Sequence, residues 1–156
     1  MPIKYVKGNL LDAKEGIIAH GCNAQGVMGA GVALAIKNKW PVAFQTYADW
    51  YSNFGLELGQ VIWADVDDKL IANCITQETY GRQDGKVYVD YDAIRICMKN
   101  IRIGGGIIPL GTTDKSPLAN VAMPKIGAGL GGGDWNKIEK IIENELRGFD
   151  VTVYEL

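Results

Sequence analysis

The sequence predicts an α/β domain whose mixed, largely parallel sheet is covered on both faces by helices. Two observations carry this reading. Helical patterns alternate with strand patterns along the chain, and several of the strands are apolar at nearly every position, as strands buried on both sides must be. At 156 residues, the chain suits one domain that can bury a substantial core without disulfide or metal staples.

Residues 3–6 read as a short first strand, and residues 16–19 open a second, fully buried one. Residues 28–39 carry a helical pattern, with Val32, Ala35 and Ile36 on one face, and stop before Pro41. Pro41 suits the first turn of another helix, where its missing N–H is no loss, and Gly55 suits that helix's end. Val42, Tyr47, Trp50 and Tyr51 supply its apolar side, with most of the aromatics read as core. Residues 60–64 and 70–76 read as strands joined through an acidic turn over 65–69. Ile94, Cys97, Met98 and Ile101 then recur at helical spacing behind Asp90, a candidate N-cap. Residues 104–118, with three consecutive glycines and two prolines, read as a long irregular connection. A strand over 119–123, a helix over 135–146 and a strand over 151–154 close the pattern.

Composition narrows the classes of function. The hydrophobic share of 47% and charged share of 22% are ordinary for a soluble globular protein. No apolar run approaches the ~18 residues a membrane span needs, and no signal-peptide pattern opens the chain, so a cytoplasmic monomer is expected. Cys22, Cys74 and Cys97 are odd in number and contain no Cys-x-x-Cys, which favours reduced thiols. With His20 the single histidine, a histidine-rich metal centre is not available, and neither metal nor cofactor is expected. A formal net charge of −2 argues against broad electrostatic capture of nucleic acid, so an anionic ligand has to be held by local N–H groups.

The most informative stretch runs from residue 123 to residue 135: Met-Pro-Lys-Ile-Gly-Ala-Gly-Leu-Gly-Gly-Gly-Asp-Trp. Five glycines in seven positions bring no side chain to a core and cost backbone entropy on ordering. Such a loop is useful where main-chain N–H groups must approach an anion, and here it feeds a helix N-terminus. It contains a Gly-x-Gly-x-x-Gly at Gly127, Gly129 and Gly132, but the unit closes the chain rather than opening a larger sheet, and no Gly-Lys-Ser/Thr follows. A second glycine-bearing loop, residues 21–31, follows the second strand and also leads into a helix. In α/β sheets the ligand crevice forms at the carboxyl ends of strands. Two helix N-termini facing one crevice suit a diphosphate.

Three segments together resemble the macro domain family: Val6-Lys-Gly-Asn-Leu, then Ile17-Ile-Ala-His-Gly-Cys-Asn-Ala-Gln-Gly-Val-Met-Gly-Ala-Gly-Val-Ala, then Met123-Pro-Lys-Ile-Gly-Ala-Gly-Leu. With the closing Val151-Thr-Val-Tyr-Glu-Leu, the match covers essentially the whole chain. The resemblance implies a three-layer α/β/α fold that binds ADP-ribose. It is closest to the small single-domain branch of ADP-ribose 1''-phosphate phosphatases and terminal ADP-ribose–glutamate hydrolases. The glutamate hydrolases of that branch use a lysine and an aspartate where this chain has Gln77 and Gly131, and neither residue can do that chemistry. The resemblance therefore implies a phosphatase acting on ADP-ribose 1''-phosphate, with a non-catalytic ADP-ribose-binding module and a deacylase of modified protein or nucleic acid as rivals.

Residue by residue, the resemblance puts Gly8, Asn9 and Leu10 at the adenine, with the Asn9 amide oxygen accepting from the exocyclic amine or merely shaping a turn. It puts Gly21, Cys22 and Asn23 beside the distal ribose, where Asn23 either reaches a hydroxyl or caps a turn. Met28, Gly29, Ala30, Gly31, Val32 and Ala33 bring a helix N-terminus to the diphosphate; Ile126, Gly127, Ala128, Gly129, Leu130, Gly131 and Gly132 wrap its other side. His20 is the candidate acid–base group, against a plain hydrogen-bonded core histidine. Asp90 is a helix cap first and a catalytic carboxylate second, and Cys22 a buried small residue first and a nucleophile second. Arg82 and Gln83 lie on a polar loop, read either as a border of the distal ribose or as plain surface.

Overall fold

Strand and helix alternate as the pattern requires. The computed structural model describes residues 3–81, 83, 85–104 and 120–156. The described elements are β1 (Lys4–Lys7), β2 (Ile17–Asn23), α1 (Gly31–Lys39), α2 (Pro41–Phe54), β3 (Val61–Val66), β4 (Lys69–Gln77), α3 (Tyr91–Arg102), β5 (Asn120–Met123), α4 (Trp135–Glu145) and β6 (Asp150–Glu155). A single 3-10 turn, Leu10–Asp12, follows β1 and was not anticipated. The predicted connection beyond Gly104, its junction at Ala119, and Arg82 lie outside the described residues.

The six strands form one sheet in the order β1-β6-β5-β2-β4-β3. Every pairing is parallel except β3 with β4, so the sheet is mixed and largely parallel. Period-two alternation then divides the core between its faces. On β2, Ile17 and Ala19 pack with Ile94, Met98 and Ile101 of α3 and with Ile138 and Ile142 of α4. Ile18 points the other way, to Ile36 of α1 and Ala43 of α2. Two helices on each face of one sheet make the three-layer α/β/α architecture. No helix among the described residues is long and apolar enough to cross a membrane.

Four departures from the sequence reading have local causes. Strand β2 does not stop at residue 19 but runs to Asn23, because residues 17–23 pair with β4 along nearly their whole length. Helix α1 begins at Gly31 rather than at residue 28: Ala30 is extended at φ −157°, and Met28 is pulled into a buried cluster with Cys22, Tyr47 and Ile75. The acidic turn shrinks to Asp67 and Asp68, with Asp67 at φ 43°, a left-handed conformation aspartate tolerates. Of the α2 side chains read as core, Tyr47 is fully buried, whereas Val42 and Tyr51 are exposed.

Candidate functional site

At the carboxyl ends of β5, β2 and β4 the surface opens into a crevice of about 780 Å³. Its walls are residues 21–23, 27–33 and 124–131, and its far end is Thr76, Gln77, Tyr80 and Gly81. This volume falls within the usual range for small-molecule sites.

One wall is the start of α1. Helices α3 and α4 are closed by aspartates: Asp90 accepts from the Ala93 N–H, and Asp134 from the Asn136 N–H. Helix α1 has Ala30 at its N-cap and no side-chain cap at all. The N–H groups of its first turn have no intrahelical acceptor, so the positive end of the helix faces the crevice. Gly31, at φ 59°, makes the turn into the helix, a conformation that would strain any other residue.

The opposing wall is the glycine loop. Leu130 reaches across toward Gly31, close enough that a Cβ on Gly31 would lie 3.3 Å from Leu130 Cδ1. The side of Gly129 faces open space, with nothing within 4 Å of a Cβ built there. Gly131 is tightly enclosed: its carbonyl accepts from the Tyr88 and Val89 N–H groups, and a Cβ would stand 2.6 Å from the Gly127 carbonyl oxygen. Gln77 lies against the same spot, its Oε1 3.2 Å from that Cβ position, while its Nε2 donates to the Thr79 carbonyl. The two positions singled out from the resemblance are thus neighbours at the far end of the crevice, and both are neutral.

Asn23 is nearly buried and heavily engaged. Its Oδ1 accepts from the Gln25 N–H at 2.9 Å and from the Tyr47 hydroxyl at 2.9 Å, and its Nδ2 donates to the Val27 carbonyl at 2.9 Å. The amide shapes the loop and retains one N–H for a ligand. Lys125 lines the opposite end, its charge partly offset by Glu155 at 2.8 Å.

His20 does not reach the crevice. Strand parity turns it toward α2, where it is wholly buried with Nε2 2.5 Å from Asn73 Oδ1. Asn73 Nδ2 donates to the Ala43 carbonyl, so its Oδ1 is the acceptor and His20 Nε2 carries the proton. Burial pushes the ring down to about 4, only partly opposed by the Asn73 hydrogen bond, and the imidazole is neutral near pH 7. Proton transfer by His20, expected from the sequence, is corrected to a support inside the sheet. Cys22 does line the crevice, but burial pushes its thiol well up, so it is no thiolate nucleophile.

Five more expected positions lie outside the lining. Asp90 spends its carboxylate on the α3 cap and its N–H on the Thr76 carbonyl. Gly8 donates to the Glu155 carbonyl, Asn9 caps the 3-10 turn by accepting from Leu11 N, and Leu10 is core. Gly132 also turns away, toward the Lys86 carbonyl. Conversely, Val27, Thr76, Tyr80, Gly81, Pro124 and Lys125 line the crevice without having been expected there. Among the described residues, no group of three or more His, Cys, Asp or Glu could hold a metal ion.

The family model described as Macro domain matches residues 19–142. An ADP-ribose 1''-phosphate phosphatase of Candida glabrata is 30% identical over 176 residues, covering 99% of this chain and 98% of the relative. A DNA ADP-ribosyl glycohydrolase of Thermus aquaticus is 26% identical over 160 residues, covering 98% of this chain but 41% of the relative. The solved structure of a Bacteroides thetaiotaomicron protein superposes with a TM-score of 0.82 at 33% identity, covering 100% of this chain and 99% of that one.

Proposed function

The chain belongs to the macro domain family, and from that premise we propose that it binds ADP-ribose along the crevice and hydrolyses ADP-ribose 1''-phosphate to ADP-ribose and phosphate. The observation that carries this reading is the uncapped N-terminus of α1 facing a glycine loop across one crevice. The diphosphate lies between these walls, held by the first-turn amides of α1 and those of residues 126–131. Adenine extends toward the β1 edge, where Asn9 stands. The distal ribose lies over the ends of β2 and β4, within reach of the remaining Asn23 N–H.

Binding energy from the adenine and diphosphate orients the terminal ester for attack by water. Water adds to phosphorus as the bond to the C1'' oxygen breaks. The ester's own phosphoryl oxygen accepts the proton that water loses and passes one to the departing oxygen, so no proton is gained or lost overall. Backbone N–H groups stabilise the charge on the phosphoryl oxygens. Because neither His20 nor Asp90 lines the crevice, a second reading stands beside this one: a module that binds ADP-ribose without turnover.

Calorimetry and a phosphate-release assay test both. ADP-ribose is expected to bind with a dissociation constant on the order of micromolar, about 8 kcal/mol, and AMP more weakly. Absence of heat, with no competition at millimolar ligand, would remove the ADP-ribose assignment. Binding without phosphate release from the ester would leave the module.

Glutamyl-linked ADP-ribose is expected to be a poor substrate, released at least ~100-fold more slowly than phosphate from the ester, because a positioned acid–base pair contributes about that much. Gln77 forms no lysyl adduct, and Gly131 has no room for an aspartate against the Gly127 carbonyl. Assays with ADP-ribosylated protein and ADP-ribosylated DNA check this. Rapid release from either would move the chain to the deacylase or glycohydrolase chemistry.

A further inference from the structure

Thr76 lies near the end of β4 with its side chain wholly buried and its hydroxyl without a hydrogen-bond partner among the described residues. Buried hydroxyls are nearly always paired, since leaving one unpaired forfeits the bonds it made to water. Valine has the same shape and would carry no such penalty. A local rule broken in this way, at a residue lining a crevice, is the mark of a group kept for a ligand.

The hydroxyl packs against a glycine of the crevice lining. A Cβ on Gly21 would stand 2.9 Å from Thr76 Oγ1 and 3.4 Å from Ile126 Cγ1. All three residues line the crevice, so the oxygen meets a bare glycine there rather than a polar side chain that could pair it. The other unpaired buried side-chain polar atom among the described residues, Trp50 Nε1, sits on α2 and lines no part of it.

Sheet order identifies the part of the ligand. From β1, where Asn9 marks the adenine edge, the strands run β6, β5, β2 and then β4. The diphosphate walls rise from β2 and β5, so a group on β4 meets the opposite end of the ligand: the distal ribose and the substituent on its C1'' atom. We infer that the Thr76 hydroxyl donates a hydrogen bond to a phosphoryl oxygen of that C1'' phosphate, making Thr76 a specificity-determining residue of the site. This inference rests on the proposed reading of the crevice as the ADP-ribose site.

The test compares the parent with Thr76→Val and Thr76→Ser, measuring melting temperature, affinity for ADP-ribose, and affinity and kcat/KM for ADP-ribose 1''-phosphate. Thr76→Val should melt at or above the parent temperature. It should lose roughly 10- to 100-fold toward the ester, as expected for one charge-assisted hydrogen bond. ADP-ribose, which lacks the phosphate, should bind within about twofold of parent. Thr76→Ser, which keeps the hydroxyl, should recover most of the loss. Should the ester not turn over, its affinity gives the same comparison. Unchanged ester affinity and turnover in Thr76→Val, or an equal loss for ADP-ribose and ester, would overturn the inference. A parent that binds no ADP-ribose would overturn the underlying reading instead, so the two failures are distinguishable.

Discussion

Gly129→Glu is expected to weaken ADP-ribose binding by more than ~100-fold while the protein folds as before. Gly129 lines the crevice, and a Cβ there meets nothing within 4 Å. Its backbone lies outside the left-handed region, so a side chain adds no strain. The carboxylate would stand where the diphosphate must come. At ~4 Å, and the effective dielectric of a protein surface, two like charges repel by about 4 kcal/mol, which corresponds to roughly a thousandfold in affinity. Calorimetry with ADP-ribose measures the loss, and a thermal melt separates it from unfolding. Gly129→Gln divides the effect into bulk and charge, and Gly129→Ala should bind nearly as the parent. Parental affinity in Gly129→Glu would place the diphosphate elsewhere on the molecule.

The contrast between Gly129 and Gly131 explains why the loop was legible from sequence while its details were not. Five glycines in seven positions bring no side chain to a core, so the expectation of a main-chain cradle could be read from composition. Which glycine faces the ligand depends on contacts with distant residues: Gly131 is held by the Tyr88 and Val89 amides, and Gly132 is turned toward the Lys86 carbonyl. The same distinction runs through the fold. Layering and strand direction follow from local periodicity, whereas the true length of β2 depends on its pairing with β4. Extending β2 from residue 19 to Asn23 put His20 inside a strand, three residues short of its carboxyl end and fully buried against the α2 side. Asn9 and Asp90 stand outside the lining for another reason. Each satisfies the backbone beside it, and such local bonds compete directly with a role in binding or catalysis. Thr76 carried no signal beyond being a polar residue after an apolar run, and its unpaired hydroxyl belongs to the tertiary structure alone.

Acid should destabilise this protein through His20, over a window the burial of that residue defines. The ring titrates near 4 in the folded chain and near 6.5 when exposed. Between these values the unfolded chain binds a proton that the folded chain refuses, so lowering the pH favours unfolding. The contribution is fully present above about pH 6.5, falls as the pH drops through the window, and is lost by about pH 4. The difference amounts to about 3 kcal/mol, a large part of a domain's stability. Melting temperature measured from pH 4 to 7 reads it directly. His20→Gln removes the titration while keeping an N–H for Asn73 Oδ1, and should flatten the profile across the window. His20→Ala leaves that oxygen unpaired beside a cavity and should melt lower at every pH, costing roughly 2–4 kcal/mol near neutrality. In both variants the protein that remains folded should bind ADP-ribose and release phosphate at close to parental rates, since the imidazole lies beneath the crevice and does not line it. Loss of turnover in a well-folded His20→Gln variant, with the parent's acid sensitivity retained, would return His20 to the mechanism and show that its burial does not keep it from the chemistry.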